Sequence, residues 1–263
     1  MALAACAAAA PAHGDPVPLR VAAAADLGPA FKELAALYQK QTGQPVSLTF
    51  GSTGLLAKQI LQGAPFDVFA AANTSYIDDL VVVGACRGDS RTLYARGRLV
   101  VWGRKDGQAP EPSRLSDLAD EHYRKIALAN PEHAPYGKAA KEALESAGLW
   151  EAVRARLVYG ENVQQAFQFA QTGNADVALV ALSLAIAHPE GAVLAVDDRL
   201  HRPLEQALAV CDRKARSKAA WSFIGKINDE EGRAIMRRYG FLLPGESLPQ
   251  ASASILAPKA AAP

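Results

Sequence analysis

The segment Thr49-Phe-Gly-Ser-Thr-Gly-Leu-Leu-Ala-Lys-Gln-Ile-Leu-Gln-Gly63, continued without a break by Ala64-Pro-Phe-Asp-Val-Phe-Ala-Ala-Ala72, decides how the chain is read. Its order is strand, glycine-flanked turn, short helix, tight turn, strand. Residues 45–50 are β-rich and stop at Gly51-Ser52-Thr53-Gly54. Leu55, Leu56, Gln59 and Ile60 then recur at helical spacing. Gly63 ends that helix and Pro65 opens the next strand. Ser52 or Thr53 falls at the helix start, where backbone N–H groups lack intrahelical partners and a hydroxyl can cap them or donate outward. Such a start is a ready anion site; the plain alternative is a βα turn with an ordinary cap.

The same alternation extends in both directions. Strands are expected at 19–25, 46–50, 67–72, 98–103, 125–129, 156–159 and 176–182, with 201–210 crossing back. Helices are expected at 30–41, 73–83, 138–147 and 161–170, and near 217–227 and 229–239. Strands alternating with helices at this spacing predict α/β layering with mostly parallel sheets. The polar, proline-bearing stretch 104–113 reads as the crossing between two lobes. The expected division is 18–100 plus 203–244 for lobe I and 101–202 for lobe II, with 245–263 a disordered tail rich in Ser, Ala and Pro.

A chain of 263 residues, half of them hydrophobic, has room for a large core in one or two domains. A formal net charge of +1 argues against non-specific nucleic-acid binding and offers no polybasic membrane surface. Residues 1–17 begin as a small-residue apolar run without a basic start. They read as the end of a secretory signal or, more plainly, as a disordered Ala-rich start. Leu3-Ala4-Ala5-Cys6 resembles a lipobox that would lipidate Cys6; plain export is preferred. No run reaches the roughly 18 continuous apolar residues of a membrane span. Cys86 and Cys211 either pair in an oxidising compartment or stay as buried thiols.

Four times a strand ends in small or capping residues and a helix begins: Ala25-Asp26-Leu27-Gly28, Gly51-Ser52-Thr53-Gly54, Ala134-Pro135-Tyr136-Gly137 and Gly160-Glu161-Asn162-Val163. Ligands of open α/β sheets bind outside the carboxyl ends of the strands. Two of these turns lie in each expected lobe, so facing lobes would gather four helix starts at one cleft. Lys138 is the sole basic residue beside them. Backbone N–H groups and the hydroxyls of Ser52, Thr53 and Tyr136 suit a small oxyanion held by hydrogen bonds rather than ion pairs.

The residues here reach a resemblance. Val21-Ala-Ala-Ala-Ala-Asp-Leu27, Phe50-Gly-Ser-Thr-Gly54 with Lys58-Gln-Ile60, Gly63-Ala-Pro-Phe-Asp-Val-Phe69, Asn130-Pro-Glu-His-Ala-Pro-Tyr-Gly137 with Lys141-Glu-Ala-Leu144, Glu161-Asn-Val163 and Arg238-Tyr-Gly-Phe241 follow one another in the order found in periplasmic molybdate-binding proteins of bacterial ABC importers. The chain resembles that family over most of 19–243. The resemblance implies a two-lobed type II periplasmic-binding-protein fold, with molybdate or tungstate in the cleft and no direct bond from protein to metal. It implies no cofactor, no catalysis, a periplasmic monomer and an inner-membrane permease as partner. By motif, Thr53 matches a hydroxyl and N–H donor with Ser52 beside it, while Tyr136 and Val163 match backbone N–H donors. Ala181 stands where one branch has a donor tyrosine, and the Tyr136 hydroxyl is the candidate replacement.

Asp26 departs from the Ser or Asn usual at its position. A carboxylate about 4 Å from an anion is repelled by roughly 4 kcal/mol per unit charge at an effective dielectric near 20. The preferred expectation is that its side chain caps the helix and only its N–H reaches the ion; otherwise it, or the ligand, carries a proton. The alternative function is a receptor for a phosphate-, sulfate- or chromate-type oxyanion, with Asp26 sensing a proton. An enzyme on this fold ranks behind both, because Ser52 has no evident His partner in sequence and no G-x-S-x-G elbow is present. His133 has no second His at metal-ligand spacing. Asp67 reads as a turn or hinge contact, and Trp102, Trp150 and Trp221 read as core or rim residues.

Overall fold

The computed structural model describes residues 17–211 and 217–247. In chain order the elements are β1 (Leu19–Ala24), α1 (Gly28–Thr42), β2 (Val46–Gly51), α2 (Thr53–Leu61), β3 (Val68–Ala71), α3 (Thr74–Val82), β4 (Thr92–Gly97) and β5 (Leu99–Arg104). Next come β6 (Ile126–Ala129), α4 (Pro135–Ser146), α5 (Trp150–Val153), β7 (Leu157–Gly160), α6 (Val163–Gln171), β8 (Val177–Ala181), α7 (Leu182–Ile186), β9 (Gly191–Ala195), β10 (Leu204–Val210), α8 (Ser217–Asn228) and α9 (Glu230–Arg238). They form two five-stranded sheets, ordered β2-β1-β3-β10-β4 and β7-β6-β8-β5-β9. The chain is thus α/β and two-lobed.

Each sheet is parallel except for one reversed strand, β10 in the first and β5 in the second. These two strands receive the chain from the opposite lobe. The crossing therefore lies between Gly97 and Leu99, not at 104–113: β5 already pairs with β8 and β9, so the proline-bearing stretch runs within the second lobe. The sequence reading also missed β4, β9, α5 and α7.

Alternation along the strands explains how the first sheet is covered on both faces. Leu19, Val21 and Ala23 of β1 point into one apolar cluster with Phe31, Leu34 and Phe223, while Ala22 joins Leu56, Ile60, Phe69, Ile77 and Leu80 in another. Cys86 and Cys211 are joined by a disulfide that ties the exit of α3 to the end of β10. Gly63, at φ +91°, ends the α2 turn in a conformation that side chains resist. Asp67 is fully buried and accepts from the Arg20 backbone N–H at 2.7 Å and from its guanidinium, so it locks β1 to the start of β3. Trp102 lies fully buried on β5 against Phe167, and Trp221 is partly exposed on α8. The suggested signal and lipobox, with Cys6, and most of the suggested tail lie outside the described residues.

Candidate functional site

Four helix starts meet where the lobes face each other. The first lobe supplies a 3-10 turn at Ala25–Leu27, directly after β1, and the start of α2; the second supplies the starts of α4 and α6. They enclose one hollow, lined by Asp26, Ser52, Thr53, Tyr136, Asn162 and Val163 together with small residues. All five residues singled out from the sequence come to this place. The hollow has a volume of about 200 Å³. That suits one compact group rather than an organic ligand.

Local sequence explains the donors. The first N–H groups of α2, α4 and α6 have no intrahelical acceptor. Pro135 opens α4 with its fixed backbone angle, leaving the Tyr136 and Gly137 N–H groups as the next donors. A Cβ on Gly137 would lie 2.1 Å from the Ala129 carbonyl oxygen, so only glycine lets α4 start this close to β6. Asn162 caps α6 by accepting from the Gln165 N–H, which leaves the Val163 N–H at the positive end of the helix dipole. Thr53 Oγ1 accepts from the Ala72 N–H at 3.2 Å, so the hydroxyl's own proton is available to an acceptor in the hollow. Among the described residues no lysine or arginine lines the hollow, and Lys138 points outward.

Among the described residues Asp26 is the sole charged one of the lining, and it is fully buried. Its side chain caps neither the 3-10 turn nor α1, so the expected capping role is wrong. Instead Oδ2 accepts from Gln206 Nε2 at 2.6 Å, and Gln206 Oε1 accepts from the Tyr94 hydroxyl at 2.8 Å. Oδ1 has no hydrogen-bond partner among the described residues. Burial raises the Asp26 carboxyl from 3.8 to about 6, against the opposing pull of the Gln206 and Tyr136 side chains and its own N–H. The Tyr136 hydroxyl faces Asp26 and Gln206 without closing a hydrogen bond of normal geometry. It fills the space over Gly97, where a Cβ would lie 2.0 Å from the phenol oxygen.

Ser52 does have a histidine partner. Its Oγ lies 2.8 Å from His133 Nδ1 and 2.7 Å from the His133 carbonyl oxygen. The Gly54 N–H donates to the same carbonyl at 2.9 Å. The partner comes from the other lobe, 81 positions along the chain, so spacing gave no signal. Another cross-lobe bond runs from Ser183 Oγ to the Asp26 carbonyl at 2.6 Å. Among the described residues no carboxylate orients His133, and Ser52's single proton goes to the His133 carbonyl oxygen. The arrangement forms a clasp between the lobes. Gln206 and Tyr94, which also escaped sequence reading, lie on β10 and β4 beneath the site. Ala181 is buried at the end of β8.

Residues 19–242 match the family of bacterial extracellular solute-binding proteins. The chain is 34% identical over 221 residues to the molybdate-binding protein ModA of Rhodobacter capsulatus, covering 84% of this chain and 86% of that one. Against ModA of Azotobacter vinelandii the identity is 34% over 226 residues, with 85% and 89% covered. The solved structure of the Azotobacter vinelandii periplasmic molybdate-binding protein superposes with a TM-score of 0.81 at 31% identity, covering 86% of this chain and 99% of that one.

Proposed function

The chain belongs to the bacterial extracellular solute-binding proteins, and from that premise we propose that it captures molybdate outside the cytoplasm and delivers it to an ABC importer. One observation carries the reading: helix starts from both lobes converge on a single small hollow without a basic side chain. A tetrahedral oxyanion would be gripped by the N–H groups at 26, 53, 136 and 163 and by the Thr53 hydroxyl. Aligned N–H dipoles in a dry site hold an anion far more strongly than they do in water. No protein atom bonds the metal, and no cofactor takes part.

Capture proceeds by hinge closure of two preformed half-sites. Ser52 and Gly54 fasten the first lobe to His133 of the second, and Ser183 fastens the second to Asp26. The protein binds and releases without catalysis. Size selects the guest, because sulfate and molybdate accept the same hydrogen bonds; tungstate, of nearly molybdate's size, shares the site. The Cys86–Cys211 disulfide suits an oxidising compartment. A monomer docking on an inner-membrane permease completes the reading. Plain export is preferred over lipidation at Cys6.

Calorimetry with molybdate, tungstate, sulfate, phosphate and chromate tests this. Molybdate and tungstate are expected to bind at least a hundredfold tighter than sulfate, a difference of about 2.7 kcal/mol. Molybdate binding no tighter than sulfate overturns the assignment, and hydrolytic turnover would return the enzyme reading.

A further inference from the structure

Asp26 raises a problem that the neutral donors around it do not solve: the one charged residue of an anion site has the anion's own sign. Among the described residues no lysine or arginine lines the hollow to compensate, and the imidazole that meets its lining, His133, is bonded to Ser52. The elements against the Asp26 turn are α1, α6, α7 and β2, and α6, α7 and β2 carry no titratable side chain. On α1, Lys32 is exposed and Glu33 pairs with Arg238. Arg20 of β1 is committed to Asp67, and Glu205 of β10 to Arg96 of β4. Lys138 of α4 is exposed. The titratable groups that face Asp26 are the phenols Tyr94 and Tyr136. Both are held well above the ordinary tyrosine value, by burial first and then by the Asp26 charge, and so remain protonated.

The hydrogen-bond polarity decides which carboxyl oxygen is free. Tyr94 donates to Gln206 Oε1, which turns the Gln206 amide nitrogen toward Asp26 and makes Oδ2 an acceptor. A proton on Asp26 therefore belongs on Oδ1, the oxygen with no partner. The Tyr136 hydroxyl is a second buried polar atom without a partner, and both residues line the hollow.

Resting on the molybdate reading, we propose that Asp26 enters the complex as the neutral carboxylic acid and donates Oδ1–H to the oxyanion, so that each capture takes up one proton from solvent. No bond to the guest forms or breaks; the proton moves from buffer to Oδ1 on binding and returns on release. The carboxyl is already lifted to about 6 before any anion is present, and a neighbouring dianion raises its proton affinity further. Binding is thereby strengthened in acid and weakened in base, and Asp26 discriminates between guests that accept a hydrogen bond there and those that do not.

The test is calorimetry of the full chain with molybdate, in two buffers of different ionisation enthalpy, at pH values from about 6 to 8, where molybdate is fully deprotonated. Uptake of close to one proton per molybdate is expected at the upper end, with affinity falling by up to about tenfold per pH unit. Asp26→Asn keeps a donor in place; it is expected to abolish the uptake, flatten the pH dependence and bind at least tenfold tighter than the parent at the highest pH. Tight molybdate binding with no proton uptake and a flat profile in the parent overturns the inference and leaves the molybdate reading standing. Absence of molybdate binding at every pH overturns that reading, and the inference with it.

Discussion

The first sheet runs β2-β1-β3-β10-β4 and the second β7-β6-β8-β5-β9, with the strand received from the other lobe reversed in each. On this shared plan the two halves of the site are made of different material. The first lobe brings buried polar side chains, Asp26, Ser52 and Thr53, supported from beneath by Gln206 and Tyr94. The second brings mainly backbone: Ala134, Pro135 and Val163 have apolar side chains, Asn162 spends its side chain on capping α6, and the Tyr136 hydroxyl is the one polar side-chain group it turns toward Asp26. A backbone half-site depends on where the helices start and is indifferent to most side-chain identities. A side-chain half-site is where charge, protonation and selectivity enter. The first lobe also carries the disulfide.

The largest effect that separates the lobes is loss of that staple. Cys86 and Cys211 lie 125 positions apart, and closing so long a loop is worth about 4–5 kcal/mol in the chain-entropy account. Cys86→Ser with Cys211→Ser, or reduction of the parent, is expected to lower the melting temperature by that much stability. Hydrogen exchange should place the loss in β1, β3 and β10 rather than in β5, β6 and β8. Equal loss of protection in both sheets would show that the lobes unfold as one unit and would blunt the comparison.

Asp26 supplies the next effect, on stability rather than affinity. A carboxyl raised from 3.8 unfolded to about 6 folded keeps its proton in the native state over a range where the unfolded chain has lost it. Its burial is therefore free of penalty below about pH 4, becomes costly as pH rises, and costs the ligand-free protein about 3 kcal/mol above about pH 6. Asp26→Asn is expected to raise the melting temperature of the ligand-free protein at neutral pH and to leave it unchanged near pH 4. An equal gain at both pH values would mean that packing, not ionisation, is responsible.

What could be read from the sequence divides along the same line. Helix starts are local: Gly51-Ser52-Thr53-Gly54, Pro135-Tyr136-Gly137 and Asn162-Val163 carry their caps, prolines and glycines within a few residues, so their positions and their shared hollow were legible. The partners of those residues are not local. Gln206 meets Asp26 across 180 positions and His133 meets Ser52 across 81, so local sequence offers Asp26 a capping role and Ser52 no histidine. The short strands β4 and β9 were missed because each is defined by the strand it pairs with. For Thr92–Gly97 that is β10, more than a hundred residues later, and its alternation is interrupted at the Gln206–Ala207 bulge. The 104–113 stretch misled for a related reason. Proline and polarity mark a surface loop, and loops within a lobe and between lobes look the same without the sheet pairings.

The smallest expected effect tests how the unlike halves are held together. Gly54 N–H donates to the His133 carbonyl, and a Cβ on Gly54 would lie 2.8 Å from that same oxygen and 3.0 Å from His133 Cβ. Neither atom is the far end of a flexible side chain, so Gly54→Ala must push the lobes apart where they clasp. The added methyl is free of this contact once the cleft opens, so the penalty falls on the closed state. Affinity for molybdate is expected to drop about tenfold, or about 1.4 kcal/mol, through faster release, with little change in melting temperature without ligand. His133→Ala is the contrasting variant. It removes the ring that meets Ser52 but keeps the backbone carbonyl that accepts from both Ser52 and Gly54, and it should weaken binding less than Gly54→Ala does. If His133→Ala costs more, the clasp is held by the imidazole rather than the peptide, and the second lobe's grip depends on side-chain identity as the first lobe's does.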